Sequence, residues 1–107
     1  MRVLGLTLSA ALAFSLTSPA MAVEGNAKAA LEKNAMCIGC HGIPGYKASF
    51  PSVYRVPYIG GQNAAYIEAA LNAYKKGDRK HPSMRGIAES LSDQDIADLA
   101  AYYSQLK

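Results

Sequence analysis

The two cysteines of this 107-residue chain lie three positions apart, and a histidine directly follows the second, giving Cys37-Ile38-Gly39-Cys40-His41. A disulfide between Cys37 and Cys40 would close a loop too short to stabilise a fold appreciably. A chain of this length forms one domain at most, and so small a hydrophobic core usually depends on a disulfide, a metal or another bound group. The sequence therefore predicts that a cofactor stabilises the fold.

The spacing C-x-x-C-H is the attachment signature of c-type haem. Two thiols on one helical turn can bond to the two vinyl groups at one edge of a porphyrin, which places the adjacent imidazole under the iron. Three alternatives are weaker. A thioredoxin-like pair needs βαβ context, a zinc site would need all of the cysteines and histidines of the chain, and a surface disulfide leaves the histidine unexplained. We therefore predict one haem c bonded to Cys37 and Cys40, with His41 as the proximal iron ligand.

The N-terminus has the features of a secretory signal peptide. Met1-Arg2 provides a positive start, residues 3–16 are almost wholly apolar, and Ala20-Met21-Ala22 matches a small-x-small cleavage site. The alternatives are a buried N-terminal helix or a retained membrane anchor, but the apolar run is shorter than the roughly 20 residues that span a bilayer. We predict a signal peptide over residues 1–22, export to the periplasm, and a mature domain over residues 23–107 without stable membrane insertion.

The rest of the chain predicts an all-α fold with long loops. Apolar residues recur at helical spacing over residues 26–36, residues 64–76 and from Ser92 onward. Residues 42–62 are rich in proline and glycine and show no alternation typical of strands. Residues 77–91 are likewise predicted as a loop. Because a structureless loop of about twenty residues is improbable in a small domain unless it wraps something, these loops are expected to enclose the cofactor.

Capping residues support the helix bounds. Asn26 and Asn63 are plausible N-caps, and Gly77 stands where a left-handed residue ends a helix. Ser92 and Asp95 have the spacing of a capping box, with aspartate in place of the usual glutamate.

The second axial ligand of the iron is less directly specified. Met1 and Met21 would leave with the signal peptide, and Met36 adjoins Cys37, on the wrong side of the attachment turn to reach the distal face. Met84 and His81 remain. A thioether favours ferrous iron and raises the reduction potential, whereas a second imidazole would lower it. The predicted loop position of Met84, after a proline, favours Met84 as the distal ligand.

Four parts of the sequence form a recognisable pattern, namely residues 37–42, Pro57-Tyr58-Ile59-Gly60-Gly61-Gln62-Asn63, Met84 and residues 91–103. In these parts the sequence resembles the class I c-type cytochromes, in particular the c4-type and related short bacterial cytochromes. This chain has one attachment motif and one domain, where the dihaem c4-type proteins have two. The resemblance implies that the C-terminal helix crosses the N-terminal one, with Ala29 or Ala30 facing Tyr102 or its neighbour.

The same resemblance implies a haem pocket made by Pro57 and Ile59. The Pro57 carbonyl is expected to accept a hydrogen bond from the His41 ring, which would fix its tautomer and raise its basicity towards iron. Ile59 is expected to pack against the haem face. The resemblance also supports Met84 as the distal ligand.

A site with both axial positions filled by protein predicts outer-sphere electron transfer, not catalysis. We expect a monomeric electron carrier whose redox partners are a quinol-oxidising complex, a terminal oxidase or a periplasmic reductase. The alternatives are a haem subunit docked in a larger oxidoreductase, and a haem enzyme or gas sensor with a displaceable Met84.

The net charge of +3 is too weak for a nucleic-acid binder. Arg55 is a candidate partner of a haem propionate. A local basic cluster, which could steer an acidic partner or simply be solvated surface, comprises Lys75, Lys76, Arg79, Lys80 and Arg85.

Overall fold

A computed structural model describes residues 22–49 and 52–107. The predicted signal peptide therefore lies outside the described residues, apart from Ala22. No helix among the described residues is long and apolar enough to span a membrane. Within the described residues the chain forms a 3₁₀ turn at Ala29–Glu32, α1 at Ala35–His41, β1 at Lys47–Ala48, β2 at Tyr54–Arg55, α2 at Ala64–Lys76, α3 at Pro82–Glu89 and α4 at Asp93–Gln105.

The fold is mostly helical, as predicted, and its core is formed where α4 packs across α2 and the N-terminal 3₁₀ turn. The core side chains are buried because each helix turns an apolar stripe inward. They include Ala30, Ile67, Leu71, Leu91, Ile96, Leu99, Ala100 and Tyr103. Ala30, at one of the two expected crossing positions, therefore shares a buried cluster with Tyr103, the neighbour of Tyr102.

A second close approach to α4 occurs at Gly25, which the sequence analysis did not single out. A Cβ atom at Gly25 would lie 2.1 Å from the carbonyl oxygen of Ala97 and 3.0 Å from the Cβ of Ala101. Real Cβ atoms do not approach backbone so closely, so the crossing requires glycine at this position.

The first helix differs from its prediction over residues 26–36. A 3₁₀ turn ends at Glu32, and a separate helix, α1, begins at Ala35 and continues through the attachment motif to His41. Asn34 lies at the break, where its buried side chain accepts a hydrogen bond from the Tyr103 hydroxyl. The periodicity of the surrounding alanines gave no sign of this break.

The prediction of a loop over residues 77–91 is wrong, because α3 occupies most of that segment. Pro82 is the first residue of α3, where its missing N–H and fixed φ favour helix formation. The sequence interpretation treated this proline as a loop signal. α3 packs against α2, and Ala88 is fully buried. Met84 consequently lies in a helix and not in a loop.

Residues 42–62 also contain more order than predicted. β1 and β2 form an antiparallel pair in which Lys47 faces Arg55 and Ala48 faces Tyr54. The Val56 amide donates to the Tyr46 carbonyl at 2.9 Å and extends the pairing. Strands of two residues are too short to produce a recognisable alternation in sequence.

The predicted caps of α2 and α4 are confirmed. Asn63 accepts a hydrogen bond from the Tyr66 amide at 3.1 Å, and Gly77 ends α2 with φ +87°. At α4, Ser92 and Asp95 form both bonds of the capping box. Asn26, predicted as the N-cap of the first helix, instead lies two positions before Lys28, the N-cap of the 3₁₀ turn; its side chain accepts from the Lys28 and Ala29 amides.

A cluster of charged and polar groups fastens the N-terminal segment to α4. Asp98 is only 2% exposed, and its carboxylate accepts from the Asn26 amide at 2.7 Å, Gln94 Nε2 at 2.8 Å and Lys33 Nζ at 3.2 Å. Lys33 also pairs with Asp95. The pKa of Asp95 falls to about 2, chiefly because Lys33 bonds its carboxylate and secondly because Ser92 does so.

Acid should therefore weaken the fold through Asp95. Its pKa is depressed in the folded state, so its stabilisation is complete above the ordinary pKa near 4 and is lost as pH falls through about 2. We expect the urea midpoint to fall between pH 5 and pH 2, and to fall less for Asp95→Asn. Asp93→Asn, on the exposed first turn of the same helix, is the control and should retain the wild-type pH dependence. A wild-type slope in Asp95→Asn would contradict the assignment.

Candidate functional site

A cavity of about 410 Å³ opens between α1, the segment after β2, α2, α3 and α4. Its volume is in the range of small-molecule and cofactor sites. Much of the wall is apolar and is formed by Ile59, Ile67, Leu71 and Leu99. All of the predicted site residues line this one cavity, namely Cys37, Cys40, His41, Pro57, Ile59 and Met84.

α1 brings the attachment motif to one wall of the cavity. Cys37, Cys40 and His41 lie within two turns of this helix, and the two thiols are not bonded to each other. Burial raises the pKa of the Cys37 thiol. Gly42 follows at the helix end, where a Cβ atom would lie 2.6 Å from Cγ1 of Ile38 and 2.7 Å from the Ile38 carbonyl oxygen. A residue without Cβ is therefore required directly after the motif.

The His41 ring is oriented by a backbone carbonyl. Nδ1 lies 2.7 Å from the carbonyl oxygen of Pro57, the contact that the family resemblance implied. A carbonyl oxygen can only accept, so Nδ1 carries the hydrogen and donates it. In the neutral imidazole, Nε2 is then the nitrogen whose lone pair can bind a metal. Hydrogen bonding of this kind fixes the ring and raises the basicity of a ligating imidazole.

α3 brings Met84 to the same cavity. Met84 is the third residue of α3, is partly buried and packs against the hydrophobic core cluster. His81, the other candidate for the distal position, lines the cavity as well. Its Nδ1 faces the Met84 amide at 3.4 Å, so one of its two ring nitrogens already has a partner.

Two arginines provide the charge of the cavity wall. Arg55 and Arg79 both line it, and none of the described lining residues is an aspartate or glutamate. The Arg79 guanidinium lies over the Tyr74 ring, 4.7 Å from the ring centroid, in a cation–π contact. Arg55 was predicted as a propionate partner, whereas Arg79 was predicted only as a member of the basic cluster. Arg79 lies three positions after the end of α2, and this position is the sequence signal that could have placed it near the cavity.

The cavity wall also contains a buried hydrogen bond that the sequence did not reveal. The Tyr103 hydroxyl donates to Oδ1 of Asn34, and both side chains are buried. Burial raises the pKa of Tyr103 well above its usual range. Tyr103 lines the cavity and joins α4 to the break before α1. The partners are 69 positions apart, and no local pattern connects them.

The residues present fit a covalently attached haem. Two thiols and an imidazole lie on one helix, a thioether comes from a second helix, the wall is apolar, and the charged side chains lining it can pair with carboxylates. The fold and the site together therefore define a small helical domain built around one haem.

Comparison with known proteins agrees with this class. The profile of the family described as "Cytochrome c" matches residues 26–107. Cytochrome c-554(548) of Halomonas halodenitrificans is 42% identical over 83 residues, which are 75% of this chain and 95% of that protein. Cytochrome c4 of Pseudomonas aeruginosa is 37% identical over 102 residues, which are 95% of this chain and 48% of that one. The chain belongs to the cytochrome c family.

A solved structure supports the fold. The crystal structure of reduced recombinant cytochrome c4 from Pseudomonas stutzeri is similar to this chain with a TM-score of 0.55 and 30% identity. The similarity covers 78% of this chain and 52% of that one, so this chain spans about half the length of the cytochromes c4. Family membership makes the protein an electron carrier with covalently bound haem c and redox partners.

Proposed function

We propose that this chain is a periplasmic single-haem shuttle that carries single electrons between redox partners. Cys37 and Cys40 would hold the haem, and His41 and Met84 would bind its iron. One observation carries the proposal. His41 on α1 and Met84 on α3 line the same largely apolar cavity, and the Pro57 carbonyl orients the His41 ring. Bound haem supplies one-electron exchange between Fe(III) and Fe(II).

The residues around the two ligands have separate tasks. Nδ1–H of His41 donates a hydrogen bond to the Pro57 carbonyl, so that Nε2 is the ring nitrogen available to bind metal. With both His41 and Met84 bound to the iron, no position on it would be left for a substrate. Ile59 and its apolar neighbours exclude water from the cavity. These roles of the surrounding residues favour electron transfer in which no bond is made or broken.

The edge of the site at α1 is accessible to a partner. Cys40 is exposed, and Met36 and Ile38 are each 45% exposed. Small, weak interfaces are typical of redox encounters, because the partners must separate again after each transfer. We propose that electrons enter and leave near this edge.

The members of the basic cluster have different surroundings in the fold, so only some of them are proposed to attract an acidic partner. Lys75 donates to the Leu91 carbonyl at 2.6 Å, and Arg85 pairs with Glu89 at 2.7 Å. Arg79 lies on Tyr74 at the cavity. Lys76 and Lys80 are exposed and are the members most able to attract an acidic partner.

Export through the predicted signal peptide supports the periplasmic location. The positive start, the apolar run and the small-x-small site ending at Ala22 together predict cleavage before Val23. In the fold, the Glu24 carbonyl accepts a hydrogen bond from Gln94, so the chain is fastened to α4 soon after this point.

Cell fractionation followed by a redox titration tests the proposed function. We expect the haem-containing protein in the periplasmic fraction, with Val23 as its first residue and one reversible one-electron transition. The reduced protein should not bind carbon monoxide. Carbon monoxide binding by the wild type would favour a sensor or enzyme, and recovery only in a larger complex would favour a docked subunit.

A further inference from the structure

His81 stands at the start of α3, the helix that contains Met84. It is the N-cap of α3, with extended backbone at φ −153° and ψ 112°, and Met84 follows three positions later. Nδ1 of His81 accepts from the Met84 amide at 3.4 Å, and the His81 carbonyl accepts from the Arg85 amide at 2.9 Å. Both contacts fix the first turn of α3, which contains Met84.

The His81 ring also contacts a second part of the fold. It packs edge-on against Tyr54, with ring centroids 4.7 Å apart and planes at 75°. Edge-to-face aromatic pairs of this kind are stabilising beyond the area they bury. Tyr54 is held in turn by β2, which pairs with β1. The start of α3 is therefore anchored to the hairpin as well as capped.

The same short stretch of chain supports the opposite side of the cavity. Pro57, three positions after Tyr54, accepts the hydrogen bond from His41. Val56 between them is buried and bonds through its amide to the Tyr46 carbonyl at 2.9 Å. Residues 54–57 thus contact His81, which precedes the distal ligand, and His41, the proximal ligand.

We infer that His81 is a positioning residue for Met84: its imidazole caps α3 and rests on Tyr54, and so holds the Met84 sulfur opposite His41. The inference rests on the proposed role of Met84 as the distal ligand. A serine or aspartate at position 81 would cap the helix but would lack the aromatic contact. Histidine provides both, and a residue that provides neither should leave the first turn of α3 loosely held.

Ligand competition at the iron measures how firmly Met84 is held. The ferric wild-type protein should show the absorption band of a methionine sulfur bound to iron, and added imidazole should displace Met84 and abolish that band. The midpoint imidazole concentration is then compared among wild type, His81→Ala and His81→Asn. His81→Asn keeps a capping side chain and loses the aromatic contact.

We expect the midpoint to fall by about five- to thirtyfold in His81→Ala, because this variant loses both the cap and the aromatic contact, and the loss of either one alone corresponds to about fivefold. His81→Asn should lie between His81→Ala and wild type. Ser90→Ala is the matched control: Ser90 Oγ donates to the Ile87 carbonyl at 2.7 Å at the other end of α3, and its loss should leave the midpoint unchanged. Circular dichroism verifies that each variant is folded, and His81→Asn tests the inference if His81→Ala is not.

Two results would overturn the inference alone. One is a wild-type midpoint in the folded His81 variants, and the other is an equal fall in Ser90→Ala. Absence of the sulfur band from the wild type would instead overturn the proposed role of Met84, and this inference with it. If the band is absent and His81→Ala also loses low-spin ligation, His81 itself is the distal ligand.

Discussion

Replacing Cys37 and Cys40 together with alanine is expected to leave a chain that does not fold. Without the two sulfurs the haem is not covalently held, and the cavity of about 410 Å³ loses its permanent occupant. Its apolar wall would then face water instead of packing against haem, and leaving even one large apolar side chain exposed costs about 1.5–3 kcal/mol. The total stability of a typical domain is only about 5–15 kcal/mol, so the loss is decisive for so small a core.

Circular dichroism and thermal denaturation of the purified double variant measure this effect. We expect little helix and no cooperative transition, with each single cysteine variant intermediate. Ile38→Leu is the control, because Ile38 lies between the two cysteines and its side chain is not part of the cavity wall. A haem-free double variant that unfolds cooperatively at the wild-type temperature would contradict the prediction.

Replacing Met84 with alanine is expected to keep the haem bound and to change its spectrum, its ligand binding and its reduction potential. The sulfur band should disappear, carbon monoxide should bind the ferrous protein, and the reduction potential should fall by roughly 0.2–0.3 V, part of the roughly 0.8 V that axial ligands span. The fall follows because a thioether favours ferrous iron. Met84→His should restore a six-coordinate, low-spin iron at low potential.

The control for this experiment is Met36→Leu. Met36 also lines the cavity, but it adjoins Cys37 on the attachment side and should not ligate the iron. Its replacement should leave the band and shift the potential little. A potentiometric titration with optical detection measures all three variants, and an unchanged potential in Met84→Ala would refute ligation by Met84.

The site was largely predictable from the sequence because its chemistry is local. The attachment motif lies within one helix, so its spacing specifies the geometry of Cys37, Cys40 and His41 directly. The caps of α2 and α4 were equally predictable, since a cap depends only on residues within a few positions. Met84 was assigned with the help of family resemblance, although the element that carries it was predicted wrongly.

What escaped prediction depends on contacts between distant parts of the chain. Nothing near Asn34 indicates that its side chain turns inward to Tyr103, and nothing near Gly25 indicates a contact with the backbone of α4. α3 was missed because Pro82 was taken as a loop signal, whereas after a capping residue it begins a helix. The contact of His81 with Tyr54 likewise joins segments that sequence periodicity cannot relate.

Intact-mass spectrometry of the exported wild-type protein under denaturing conditions tests the central claim most directly. Denaturation removes any group held only by ligation or packing, so a porphyrin that remains must be bonded through Cys37 and Cys40. The expected mass is that of residues 23–107 plus one haem. The bare polypeptide mass, with both thiols free or joined to each other, would contradict the whole account.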